Sequence, residues 1–273
     1  MVAITARIDR VQLISWPGGE PPEIVACILE WDHFVRTQTT TGTYARARKL
    51  TSRTSGTTIF WQYRPRAGWL KPWKISLIPN DVTGLSVVEI QQILKHCIHY
   101  RILTVELAVD FSLSSGVSGR FVRRHAVFGK SRRRATNNDQ LRYGGRKSGK
   151  LVRCYKKPEV GVYRVELELH SRLLRDHRIV ALADLSRLPD VVCPRHLQFV
   201  DLDWNQLRRH LAKSVGDRSD DVITEARRRK ASILRVQRYL RRSGVFNTHR
   251  FLVPKAMNED VRLALDKLTR MFR

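Results

Sequence analysis

The sequence predicts an α+β fold: a mixed, mostly antiparallel sheet with packed helices, followed by a basic helical C-terminal region. Residues 102–111 alternate strictly between apolar and polar side chains, the signature of a strand with one buried face. Three more β-rich runs, at 137–143, 150–157 and 162–169, follow at short spacing. From residue 203 onward the apolar spacing changes to three or four, which is helical.

Taken in order, residues 3–15 alternate loosely and 24–30 are a second β-prone run. The turn signal from Pro17-Gly18-Gly19 to Pro22 separates them. Residues 39–58, rich in Thr, Ser, Gly and Arg, are expected to form a long loop, with strands at 58–63 and 73–78. Ser86 has Glu89 three residues on, a capping box, and Val87, Ile90, Leu94 and Cys97 recur at helical spacing behind it. In the central strand Leu103, Val105, Leu107, Val109 and Phe111 share the core face, leaving Thr104, Glu106, Ala108 and Asp110 on the other. Helices are expected at 203–213, 220–242 and 258–272, with Gly244 stopping the second. Ile223, Ala226, Ile233, Val236 and Leu240 form the buried stripe of that long helix. No internal repeat is visible, and two units are expected, 1–200 and 201–273.

The 273 residues carry 51 Lys and Arg against 25 Asp and Glu, a net charge of +26. At 42% hydrophobic the chain has enough apolar side chain for a core, which excludes wholesale disorder. No run reaches the roughly 20 apolar residues of a membrane span, and the first residues lack a signal-peptide layout, so a cytoplasmic protein is expected. Cys27, Cys97, Cys154 and Cys193 form no CxxC pair, against a zinc ribbon or disulfide framework. The charge is concentrated. Residues 120–157 hold fourteen basic residues and one acid, Asp139; residues 227–242 hold eight basic residues and none. A solvated surface intersperses acids with bases, so this distribution points to a polyanion, and nucleic acid is the commonest one. Five of the six tryptophans (Trp16, Trp31, Trp61, Trp69 and Trp73) precede residue 75. Their faces would stack on bases, although for each alone a core position is the commoner role.

The candidate chemistry lies on residues 161–170. Tyr163, Val165, Leu167 and Leu169 point to the core; Arg164, Glu166, Glu168 and His170 point the other way. A four-residue turn at 158–161 would pair Lys157 with Val162. That register sets Tyr155 opposite Arg164 and Arg153 opposite Glu166 on the polar face. Glu106 and Asp110 share a face but stand ~13 Å apart along an extended strand. A cross-strand partner, Glu166 or Glu168, is therefore the better mate for either in holding Mg²⁺ or Mn²⁺. For one acid alone, an ion pair with an arginine is the simpler role.

Three segments in order resemble the replication initiators of rolling-circle plasmids, filamentous-type phages and some conjugative elements, the Rep_trans or phage replication initiation factor group. They are Leu103-Thr104-Val105-Glu106-Leu107-Ala108-Val109-Asp110-Phe111; the run from Leu141 to Lys157, in which Tyr143-Gly144-Gly145-Arg146-Lys147-Ser148 leads to Arg153-Cys154-Tyr155-Lys156-Lys157; and Tyr163-Arg164-Val165-Glu166-Leu167-Glu168-Leu169. The resemblance covers about residues 103–177. Glu106 stands where the family usually has Asp, and Lys156 where it often has an acid or Asn.

The resemblance implies a metal-dependent enzyme that nicks one DNA strand at an origin and stays attached to the 5′ phosphate through a tyrosine. Tyr155 is the first candidate nucleophile and Tyr143 the second, with Arg153 and Arg164 stabilising charge. Glu106, Asp110, Glu166 and Glu168 are the candidates for holding Mg²⁺ or Mn²⁺. Arg142, Arg146, Lys147, Lys150 and Lys156 would hold the strand, and Arg227, Arg228, Arg229, Arg235 and Arg238 would bind DNA from the helical region. The implied partners are single-stranded or cruciform origin DNA, a host helicase and a second copy of the chain, with no membrane, in the cytoplasm of a bacterial host. The chain has no His-x-His pair, which weighs against the His-metal version of this chemistry, and His33, His96 and His99 are read as structural. The competing reading is a non-catalytic basic DNA-binding protein of a mobile element. A third is an RNA-binding protein that uses the tryptophans.

Overall fold

The computed structural model describes residues 3–15, 34–39, 42–53, 56–69, 73–79, 100–129, 133–134, 140–145, 149–214, 219–228 and 233–272. The expected strand at 24–30 with its turn, and the helix after Ser86, lie outside the described residues.

The fold is α+β, built on a ten-stranded sheet whose pairings are all antiparallel. Its strands are β1 (Ile4–Ser15), β2 (Phe34–Thr39), β3 (Tyr44–Ser52), β4 (Thr58–Pro65), β5 (Trp73–Ile78), β6 (Tyr100–Ser112), β8 (Arg133–Arg134), β9 (Gln140–Gly145), β10 (Lys150–Lys157) and β11 (Val162–His170). A three-stranded sheet joins β7 (Ala126–Val127), β12 (Gln198–Leu202) and β13 (Leu252–Pro254). The order in the large sheet is β2-β3-β4-β5-β1-β6-β11-β10-β9-β8. Its connectivity repeats. In each half a long strand, β1 or β6, is flanked by the last strand of its own half, β5 or β11, while the intervening strands run outward to an edge. The two long strands pair along the seam. The sequence carries no repeat to match, because what recurs is wiring and alternation rather than residue identity.

The central alternation holds from Val105 to Phe111, whose apolar members are fully buried. At Leu103 the β1–β6 register shifts, and Ile102 rather than Leu103 takes the core position. Residues 39–58 are not one loop: β3 occupies nine of them and pairs with both β2 and β4. In β3 the residues buried are Tyr44, Ala47, Leu50 and Ser52, a spacing that masks the period of two. The β-branched Thr51 there is a strand former despite its polarity.

The core face is covered by α1 (Gly119–His125), α2 (Ser171–Asp176), α3 (Leu188–Val192) and α7 (Met257–Thr269). They contribute Val122, Leu174, Leu188, Val191, Val192, Val261 and Leu265 to one core with Val105, Leu107, Val109, Val165 and Leu167. A second core joins α4 (Trp204–Ser214), α5 (Ser219–Arg228) and α6 (Ile233–Arg242) through Leu207, Leu211, Ile223, Ala226, Ile233, Val236 and Leu240. The helix expected over 220–242 is thus two helices, whose apolar residues meet in this cluster instead of lining one continuous stripe. Asp203 caps α4 by accepting from the Asn205 and Gln206 amides at 3.1 and 2.9 Å. Gly244, at φ 86°, adopts the left-handed conformation after α6. Trp61 and Trp73 are core residues, whereas Trp69 is 80% exposed. Trp16 and Trp31 lie outside the described residues. Among the described residues no helix is long and apolar enough to cross a membrane.

Leu107 sits fully buried in β6, one of the two long strands that pair along the seam. Leu107→Ala should cost about 2–5 kcal/mol, read as a lower urea midpoint with an unchanged m-value. A loss below 1 kcal/mol would mean that the seam is not a close-packed centre.

Candidate active site on the polar sheet face

The register drawn from the turn at 158–161 is the observed one: Lys157 pairs with Val162, Tyr155 with Arg164 and Arg153 with Glu166. Gly161, at φ 68°, closes the turn in a conformation that favours glycine. On the far side of β11, Arg164 pairs with Asp110 and Glu168 with Glu106 of β6. One polar face therefore collects Tyr155, Arg153, Arg164, Glu166, Glu168, Glu106 and Asp110.

Three further residues come from β1. Asp9 is an extra residue between the pairs Ile8–Leu107 and Arg10–Glu106, a bulge. The bulge lets Asp9 and Arg10 both join Arg7 in ion pairs on this face. An Arg-x-Asp-Arg run inside a loosely alternating strand was the only sequence signal for these residues, and it carries no spacing of its own.

The acids and arginines interleave. Arg164 donates two hydrogen bonds to Asp110, Nε to Oδ1 and Nη2 to Oδ2, both at 2.7 Å, and lies 3.5 Å from Asp9. Arg153 donates to Glu166 at 2.7 Å and stands 3.7 Å from Glu106 and 3.9 Å from Glu168. Arg10 pairs with Glu106 at 3.4 Å, and His170 with Glu168 at 3.3 Å. Glu106 and Glu168 are like charges directly across two strands, an unfavourable placement unless a cation lies between them. The Arg153 guanidinium is that cation. Burial pushes the Glu106 carboxyl above its ordinary value, with Arg10 opposing and Glu168 reinforcing the rise.

The Tyr155 hydroxyl donates to Glu166 Oε1, while Glu166 Oε2 accepts from Arg153. Burial raises the phenol well above its ordinary value, and the Glu166 carboxylate raises it further. The phenol therefore holds its proton at neutral pH, and the group placed to remove it is the carboxylate it already touches.

The other expected site residues fall elsewhere. Tyr143 is 6% exposed on the core face, its ring 4.5 Å from that of Phe128, and does not share the Tyr155 surface. The alternation of β9 turns it away, since it pairs with the core residue Val152. Lys150 was expected to hold DNA, yet the residue is 6% exposed and its ammonium donates to His196 Nδ1 at 2.9 Å. Burial lowers Lys150 to about 8 and His196 to about 4. Arg142 is exposed and pairs with Arg153. Lys156 is exposed on the side opposite Tyr155. In the helical unit, Arg227 lies 5.1 Å over the Trp204 ring and Arg228 pairs with Glu225 at 2.8 Å. Arg235 and Arg238 are exposed along α6 with Arg241 and Arg242. Arg146, Lys147 and Arg229 lie outside the described residues, as do His33, His96 and His99.

Carboxylate oxygens suit Mg²⁺ or Mn²⁺, but here each carboxylate faces an arginine, and Arg153 fills the space between Glu106, Glu166 and Glu168. Among the described residues no three of His, Cys, Asp or Glu gather around one ion position. No protein-family model matches the chain, and no curated protein matches it.

Two measurements probe this site and its surroundings. Asp110→Ala leaves the buried Arg164 guanidinium with Asp9 alone and should cost about 3 kcal/mol, with Asp110→Ala/Arg164→Met recovering much of the loss. Equal losses in the two variants would mean that the pair is not what burial demands. His196 titrates near 4 when folded and near its ordinary 6.5 when unfolded. The unfolded chain then binds the extra proton, so stability falls as pH drops from 6.5 towards 4. His196→Asn should flatten the melting temperature against pH in that window, and an unchanged slope would place the acid sensitivity elsewhere.

Proposed function

We propose that the protein is a DNA strand transferase that nicks one strand and holds its 5′ phosphate on Tyr155. The observation that carries this reading is the Tyr155 hydroxyl donating to Glu166 beside two arginines, on a polar sheet face in a strongly basic chain. In the proposed reaction Glu166 takes the phenol proton as Oη attacks phosphorus. The bond from phosphorus to the 3′ oxygen breaks, and that oxygen leaves as a hydroxyl with a proton from solvent. Arg153 and Arg164 balance charge developing on the phosphate oxygens. The phosphotyrosine bond keeps the free energy of the phosphodiester, so attack by a 3′-hydroxyl reverses the step.

Mg²⁺ or Mn²⁺ belongs to this proposal through the family resemblance, with Glu106, Glu166 and Glu168 as the carboxylates that would hold it. When bound it would shield the phosphate charge. Arg153 lies among these three carboxylates. The exposed arginines of α6 also fit the plainer reading of a basic DNA-binding protein, with origin DNA, a helicase or a second copy as partners. Covalent chemistry separates the two.

The test is incubation with a pool of single-stranded DNA in Mg²⁺ or Mn²⁺, then denaturing electrophoresis for protein-linked DNA. Wild type should give a linked band, and Tyr155→Phe should abolish it while DNA affinity changes less than about twofold, one missing hydroxyl being far from the bulk of the phosphate contacts. A band that survives Tyr155→Phe would move the nucleophile to another residue, and no band from wild type on any pool member would leave only the DNA-binding reading.

A further inference from the structure

A groove of about 660 Å³ lies at the end of the β10–β11 hairpin, lined by Leu113, Val117, Ser118, Arg120, Arg123, Lys156 and Tyr163 together with two glycines. Its volume is that of a small-molecule site. The lining divides by chemistry. Leu113 is half-buried and lies with the almost fully buried Val117 and Tyr163 at the apolar floor, Arg120 and Arg123 come from one face of α1, and Lys156 comes from β10. Among the described residues no carboxylate lines it. The contrast with the Tyr155 face is sharp: there Arg7, Arg10, Arg153 and Arg164 are each paired with an acid. In the groove the Arg123 Nε is buried and has no hydrogen-bond partner among the described residues. An ionised donor enclosed without an acceptor is costly, and an anion is what would satisfy it.

We infer that this groove binds a nucleotide unit of single-stranded nucleic acid, with phosphate against Arg120, Arg123 and Lys156 and the base on Leu113, Val117 and Tyr163. Cations beside an apolar floor match a phosphate joined to a flat ring better than they match a bare anion. Lys156 follows Tyr155 and pairs with Tyr163, the neighbour of Arg164. The groove and the Tyr155 hydroxyl thus lie on opposite faces of one hairpin, and a strand that occupies both crosses the hairpin's end. This inference rests on the nucleic-acid half of the proposed function and needs no strand transfer.

The experiment uses the full chain in EDTA and a fluorescein-labelled ten-nucleotide thymidine strand, read by anisotropy. Arg120→Ala/Lys156→Ala, both at exposed positions, should weaken binding at least tenfold. The slope of log affinity against log salt should become shallower by about 1.4, two phosphates at roughly 0.7 each. Arg123→Gln should act in the same direction. Thymidine monophosphate should compete only at concentrations about a hundredfold or more above those of the strand. Unchanged affinity and slope in the double variant would overturn the groove. Equal potency of the mononucleotide would overturn the strand and leave a free-nucleotide site. Because no chemistry is read, loss of the covalent band with these results intact would count against strand transfer alone.

Discussion

The Arg164–Asp110 pair is the constraint on which the polar face depends. Arg164, 3% exposed, carries its charge into the sheet and is matched there by a two-pronged carboxylate on the neighbouring strand. That match ties β11 to β6 in one register and sets every residue along them. Moving β11 by one residue would turn Glu166 and Glu168 into the core and bring Val165 and Leu167 out. The same register puts Tyr155 beside Arg164 and gives Glu166 both the phenol and Arg153. The pair is structural in its own contacts and positions the reactive groups through the strands.

The interleaving of acids and arginines has an electrostatic result that net charge alone hides. A protein of +26 concentrates polyanions over its surface. On the Tyr155 face, however, Asp9, Glu106, Asp110, Glu166 and Glu168 offset the local arginines. The excess positive charge therefore lies elsewhere, along α6 and at the groove by the hairpin's end. The basic stretch from 120 to 157 does not converge on one spot. Alternation sends Arg153 and Tyr155 to one side and Lys156 to the other, while Lys150 is drawn inward to His196.

Much of this was legible from periodicity. The central strand, the hairpin register and the cross-strand set around Glu166 follow from alternation and a turn with glycine at its end, which are local signals. Asp9, Arg7 and Arg10 were missed because a bulge abolishes alternation at the residue that matters. The burial of Lys150 was missed because its partner lies forty-six positions away, beyond any local pattern. The division of 220–242 into two helices was hidden by apolar residues, Ile223, Ala226, Ile233, Val236 and Leu240, that keep helical spacing through both. Residues 39–58 misled through composition: Thr and Arg look like loop, yet fit a strand whose outer face meets water.

The doubled wiring of the large sheet has a consequence for how the chain is made. Ile8 pairs with Leu107, so the middle of the sheet joins residues about a hundred positions apart. During synthesis the first half emerges complete while one flank of β1 has nothing to bond. Until β6 leaves the ribosome, that bare edge is a template for any extended segment nearby, including the same strand of a neighbouring nascent chain. Arg7, Asp9 and Arg10, which later serve the polar face, stand along that edge during the wait. Their charges make it a poor partner for strangers until the second half arrives.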